Sequence, residues 1–360
     1  MNESKSFSAY NGLILEILRS FYGSTPVSGA ITPFIKEAQW GDIFTFLRFH
    51  RLLPIAYHVL SGTELWETIP NDFKVGVKQA SFENTALILL LGNLMDAAVS
   101  ALEDARIPFY IIKGPAVALE FYRPGDLRPY TDIDIVIPFN SFSDANAVLN
   151  DLGFSSRGRF FTKEYFDSVH FSNDQYPGFC IDLQWESVTS IWTREPFLSS
   201  KEVWDQIRLL ETSESKHIPV LAPMFLIPFL CTHLVFHRPM ALLIHLMDLA
   251  LAVRDSESDL PWDEFVRWAR YKKLGKPVYH SLRWTRDILD VAIPSAVLDA
   301  LQPGAVEKHL FPFRRIASRH GNMPEFLERA IKFPLIEGWK NKTRSITSYC
   351  EMFYQGTKDE

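Results

Sequence analysis

Cysteine is nearly absent from this sequence: Cys180, Cys231 and Cys350 are the three in 360 residues, far apart and without a Cys-x-x-Cys pair. That argues against a disulfide framework and against a structural zinc site, and a reducing, cytoplasmic setting is expected. A basic surplus is missing too. Lysine and arginine number 37 against 43 acidic residues, for a formal charge of -6. A surface built to hold long nucleic acid needs many Lys or Arg contacts to phosphate, so that partner class is disfavoured, although a local basic patch remains compatible. Long apolar runs are scarce. The most apolar window, 221–236, is shorter than the roughly 20 residues that span a bilayer and holds Pro223, Pro228 and His233. A buried helix is expected there. The first residues, Met-Asn-Glu-Ser-Lys-Ser, lack the basic-then-apolar pattern of a signal peptide. The expectation is a soluble protein with no membrane partner.

What is plentiful is apolar and aromatic side chain, at 47% and 14% of the chain. That supports a sizeable core and argues against disorder. Helical spacing dominates residues 9–105: Leu13, Ile14, Ile17 and Leu18 recur on one face, as do Ile43, Phe44 and Leu47, and a long apolar helix is expected through 86–94. The period then changes. Residues 108–113 read as a short strand, Gly114-Pro115 as the start of a helix ending near Tyr122, and 123–126 as a turn. A strand carrying Asp132 and Asp134 follows, then a helix over 141–152 closed by Gly153, then strands around 154–162, 169–172 and 179–185. From about 190 onward helical periodicity returns. The expected fold class is α+β: a small mixed β-sheet with helices on one side, flanked by N-terminal and C-terminal helical regions. The domain boundaries that follow are 1–105, 106–190 and 191–360.

The chemistry concentrates in Thr131-Asp132-Ile133-Asp134-Ile135-Val136-Ile137. Side chains alternate faces along a strand, so Asp132 and Asp134 point the same way. Two ionised carboxylates side by side on a buried strand repel and are costly to desolvate, and a divalent cation is the usual reason to keep them there. The other reading is an edge strand whose acidic face meets water while Ile133, Ile135 and Ile137 face the core. Asp182 lies in a similar apolar alternation between Ile181 and Leu183. If its strand runs beside the first, three carboxylates converge. Otherwise it is an acid that caps a turn or pairs with an arginine.

Other residues carry weaker signals. Lys113-Gly114 closes a strand and opens a helix, the setting in which a backbone approaches phosphate, or else a simple turn. Arg123 and Arg128 precede the acidic strand and could clamp a triphosphate or form ordinary salt bridges. Tyr130 could stack on a base or simply pack in the core. His233 and His237 stand four apart on an expected helix, with His245 beyond, but no Glu sits between them as in a zinc-protease helix, so packing or substrate contact ranks above metal.

Lys113-Gly114, Tyr122, Arg128, Asp132-Ile-Asp134 and Asp182-Leu-Gln-Trp185 together resemble the polymerase-beta-type nucleotidyltransferase superfamily, and within it most nearly the uncharacterised nucleotidyltransferase family, over roughly 85–260. The resemblance implies that Asp132, Asp134 and Asp182 are catalytic and hold the metal, Asp182 acting on the attacking hydroxyl. It implies that Lys113, Gly114 and Arg128 bind the triphosphate. It also implies Mg2+ or Mn2+ as cofactor and an NTP, ATP first, as co-substrate. Two positions depart from the family pattern. Pro115 stands where relatives have Ser or Gly and offers phosphate neither N–H nor hydroxyl. Gln184 replaces a usual His and has no basic function near neutral pH.

The expected activity is transfer of an NMP group from an NTP to an acceptor, with release of pyrophosphate. A small molecule, a peptide or a protein side chain are the favoured acceptors. The rival reading keeps the fold as a nucleotide-binding or interaction module without catalysis. A nuclease using the same acids ranks third, for want in the sequence of a further His or carboxylate placed to activate water.

Overall fold

Helical spacing becomes helix through the first hundred residues: α1 (Glu3–Gly23), α2 (Trp40–Phe49), α3 (Leu53–Leu60) and α4 (Asn71–Asp104) follow one another in the computed structural model of the protein. The structure describes residues 3–25, 39–156, 168–186, 197–211, 217–236, 242–304, 324–338 and 342. Leu13, Ile14, Ile17 and Leu18 are all buried, as their spacing requires. Arg51, in the short link between α2 and α3, has φ +60. That left-handed residue closes α2, with Arg51 N–H donating to Arg48 O and Leu52 N–H to Leu47 O, and Arg106 and Lys273 end other helices in the same way.

The long helix α4 carries Leu91, Met95, Ala98 and Leu102 at helical spacing, all buried, while Phe82, Leu87 and Leu89 stay exposed. Among the described residues it is the one helix long and apolar enough to cross a membrane by length and composition, with 28% of its apolar window buried. The apolar window at 221–236 lies elsewhere in the fold. There α8 (Pro223–Phe236) is buried from Met224 to Phe236 despite Pro228, as a core helix should be.

Between these helical regions the chain builds β1 (Tyr110–Ile112), α5 (Gly114–Phe121), β2 (Asp132–Val136), α6 (Phe142–Asp151), β3 (Ser155–Ser156), β4 (Ser168–Ser172), β5 (Cys180–Gln184), α7 (Lys201–Trp204), β6 (Arg208–Glu211) and β7 (His217–Val220). The strands form one seven-stranded mixed sheet in the order β3-β4-β5-β2-β1-β7-β6. β2 pairs in parallel with β5 and antiparallel with β1. The acidic strand is therefore central, and the edge-strand reading is excluded. After α8 come α9 (Leu243–Ser256), α10 (Trp262–Tyr271), α11 (Gly275–Leu289), α12 (Ser295–Leu301) and α13 (Glu325–Lys332).

Two expectations are corrected. Residues beyond 190 are not only helical, because β6 and β7 extend the sheet; these four-residue strands are too short to show a clear period. Nor do helices cover one side of the sheet alone. One face, with Ile111, Ile133, Ile135, Ile181 and Leu183, shares a core with α4 and α6. On the other, Tyr110, Ile112 and Val136 join the core of the N-terminal and C-terminal helices. Part of the expected strand at 154–162 lies outside the described residues, as does His237.

Candidate active site

The parallel pairing of β2 and β5 sets Asp134 directly opposite Asp182, and Asp132 opposite Cys180. Strand alternation puts all four on one face. Each of Asp132, Asp134 and Asp182 offers a carboxylate oxygen within 4.8 Å of the others. The three acids expected from the sequence are thus brought together, at a strand register that no local pattern specifies.

Burial divides them. Asp134 is 1% exposed, while Asp132 and Asp182 are half-buried. Lys113 Nζ donates to Asp134 Oδ1 at 2.5 Å, and Gln184 Nε2 donates to the same oxygen. Gln184 lies two residues beyond Asp182 on β5 and faces the same way, so the residue without a chemical role in the sequence reading is the one that fixes Asp134. Burial pushes the Asp134 carboxyl up to about 7; Lys113 opposes the rise, and Asp132 and Asp182 add to it. One ammonium for three carboxylates leaves a site short of positive charge. The donors are oxygens, which suit a hard divalent cation such as Mg2+ or Mn2+. Cys180 borders the site, and burial, with the three acids behind it, pushes its thiol up to about 12; with His170 and Asp182 it forms a second group of potential ligand atoms within 4.8 Å of one another.

His170 Nδ1 lies 2.8 Å from Asp182 Oδ1, across the β4–β5 pairing. No local pattern points to it, because the contact depends on which strand β4 joins. It supplies the histidine that the nuclease reading lacked.

Lys113 has φ +55 and caps α5, whose first turn holds Gly114 and Pro115. A Cβ on Gly114 would meet Tyr130 Cβ at 2.8 Å, a distance real contacts do not reach. Glycine is required here so that the segment before β2 can lie against α5. Tyr130 is buried in that contact, and burial pushes its hydroxyl up to about 12.

Arg128 donates through Nε and Nη2 to Asp248 on α9, at 3.2 and 2.7 Å, and Tyr122 Oη donates to the same carboxylate at 2.7 Å. All three residues are buried. Burial acts to lower the guanidinium, but Asp248 carries it above its ordinary range. Such a pair, stripped of water on both sides, ties the turn before β2 to the C-terminal helices. Of the two uses expected of Arg128, the salt bridge is the one this contact realises. Arg123 turns back to the carbonyls of Leu119 and Tyr122. His233 and His245 are buried with ring centroids 4.4 Å apart, in the helical core and outside the carboxylate cluster.

A family model described as "Uncharacterised nucleotidyltransferase" matches residues 36–290. The chain is similar to the antibiotic-resistance factor ANT(2'')-Ia, with 16% identity over 45% of this chain and 82% of that one, at a TM-score of 0.32. An antigenic nucleotidyltransferase-like protein from Paracoccidioides brasiliensis shows 14% identity over 57% of this chain and 91% of that one, at a TM-score of 0.33. No curated protein matches the chain.

Proposed function

The chain belongs to the uncharacterised nucleotidyltransferase family, and on that premise we propose that it moves a nucleoside monophosphate from an NTP to an acceptor and releases pyrophosphate. The observation that carries the reading is the convergence of Asp132, Asp134 and Asp182 within 4.8 Å on one face of a central strand pair. A divalent cation held by these carboxylates would neutralise triphosphate charge and lower the pKa of an attacking hydroxyl. Lys113 and Gln184 hold Asp134 from one side and set its orientation. Asp182, half-buried and steadied by His170, is the carboxylate placed to meet the acceptor and take its proton. The acceptor atom bonds to the α-phosphorus as the bond to the bridging α–β oxygen breaks. ATP is the first NTP to test, and a small molecule, peptide or protein side chain the acceptor class.

The test is transfer of label from ATP, GTP, CTP or UTP into material of a matching cell lysate. Asp132→Asn with Asp134→Asn should lower it by at least about a thousandfold, since charge stabilisation at the reacting phosphate is the main catalytic contribution. Turnover unchanged in the double variant sinks the assignment. One observation favours the second reading, a nucleotide-binding module without catalysis: Pro115 has no N–H to offer in the first turn of α5, and Lys113 and Arg128 are both already paired. Calorimetric titration of a non-hydrolysable ATP analogue separates the two; binding that does not depend on Mg2+ favours the module.

A further inference from the structure

Against the segment that leads into Asp132 lies a pocket of about 340 Å³, lined by none of the three carboxylates. Its size falls within the range of ligand pockets, roughly 300–1,000 Å³. One wall is Tyr130 and Thr131, immediately before Asp132. The facing wall comes from α2, the link to α3, and α4, with Arg48, Arg51, Pro54 and Leu87. Among the described residues, the guanidinium groups of Arg48 and Arg51 make no hydrogen bond or ion pair. Glu83, the acidic residue on the same wall, accepts a hydrogen bond from Gln79 at 2.8 Å.

Arg51 is the unusual one. It is half-buried, its backbone is left-handed at φ +60, and Asp132, Asp248 and Arg128 are its electrostatic neighbours. Burial lowers its pKa, and Arg128 lowers it further, against smaller opposing effects of Asp132 and Asp248. A cation that is partly stripped of water, near a second arginine and without an ion-pair partner, costs free energy unless something answers its charge. The carboxylates themselves do not answer that charge, since none lies within ion-pairing distance. An anionic ligand does.

Resting on the nucleotidyl-transfer reading, we propose that this pocket is the nucleotide site: Arg51, with Arg48 at the rim, holds the phosphate tail of the NTP beside Asp132. Pro54 and Leu87 give an apolar surface to the nucleoside. Planar guanidinium suits phosphate oxygens better than a point charge, which accounts for arginine at both positions. The arrangement also resolves the shortage left by Lys113 and Arg128, whose charges are spent on Asp134 and Asp248. The N-terminal helical region thereby becomes part of the active site.

The experiment is calorimetric titration of the full chain with a non-hydrolysable ATP analogue plus Mg2+, and separately with inorganic tripolyphosphate. Arg51→Gln should weaken the analogue about tenfold or more, Arg51→Lys less, and Arg48→Gln least, as fits loss of charge-assisted bonds of decreasing burial. Thermal midpoints no lower than that of the wild-type chain show that the variants fold. Analogue affinity unchanged in Arg51→Gln overturns the proposal and leaves nucleotidyl transfer standing. Arg51-dependent binding of tripolyphosphate with no binding of any nucleotide keeps the anion site and overturns the transfer reading. Failure of the wild-type chain to bind either probe overturns the site.

Discussion

The two sides of the carboxylate strand treat their cations differently. On the α5 side, Lys113 is bonded to Asp134 and Arg128 to Asp248, both inside the fold. On the α2–α3 side, Arg48 and Arg51 line open volume and pair with no described residue. A paired cation has its charge answered within the fold. An unpaired one is held in reserve. The first pair carries the motif resemblance, while the second has the charge that the proposed triphosphate site uses.

This contrast makes stability and binding separable. The largest effect on stability is expected from Arg128→Ala, which strands Asp248 in the core and should cost about 3–5 kcal/mol in denaturant unfolding. Arg51→Gln strands no partner and removes an unanswered charge, so it should leave stability unchanged or raise it. A loss at Arg51 as large as that at Arg128 would erase the distinction. Next in size is Gly114→Ala. Its Cβ would meet Tyr130, and overpacking of that kind costs about 1–3 kcal/mol. An unchanged midpoint would show that the α5–Tyr130 contact can open.

The last effect is a pH dependence, read as a slope within one chain rather than as a difference between variants. The Asp134 carboxyl sits near 7 in the folded chain, well above an ordinary aspartate. The folded state thus binds a proton that the unfolded state has released between about pH 4 and 7, so metal-free stability falls as pH rises through that window. Affinity for a divalent cation moves the other way, rising to about pH 7 and then levelling, because binding displaces that proton. Thermal scans at pH 5 and 8 check the first effect, and Asp134→Asn should flatten the slope.

The strand-turn-helix around Lys113, the acidic strand and the β5 strand were legible because each is short and apolar, and is closed by a turn, Pro or Gly signal. β1 falls at Tyr110–Ile112, α5 at Gly114–Phe121, and β5 at Cys180–Gln184, near where the periodicity had placed them. The convergence of the three acids was legible only through the motif resemblance. Periodicity says which face Asp132 and Asp134 share but not which strand lies alongside. The remainder was hidden by sequence distance. Arg128 meets Asp248 across 120 residues, and Gln184 reaches Asp134 across 50. Nothing in the local pattern could name these partners. Arg51 was missed because a lone arginine between two helices looks like surface; its left-handed backbone and its place near Asp132 exist only in the fold.

The central claim is that Asp132, Asp134 and Asp182 form a divalent-cation site serving a nucleotide. Electron paramagnetic resonance of Mn2+ titrated into the full chain with a non-hydrolysable ATP analogue tests it without knowledge of the acceptor. The account predicts bound Mn2+ in the wild-type chain, tighter with the analogue than without, and loss of the bound signal in the Asp132→Asn, Asp134→Asn double variant. Mn2+ bound equally well by the double variant would contradict it.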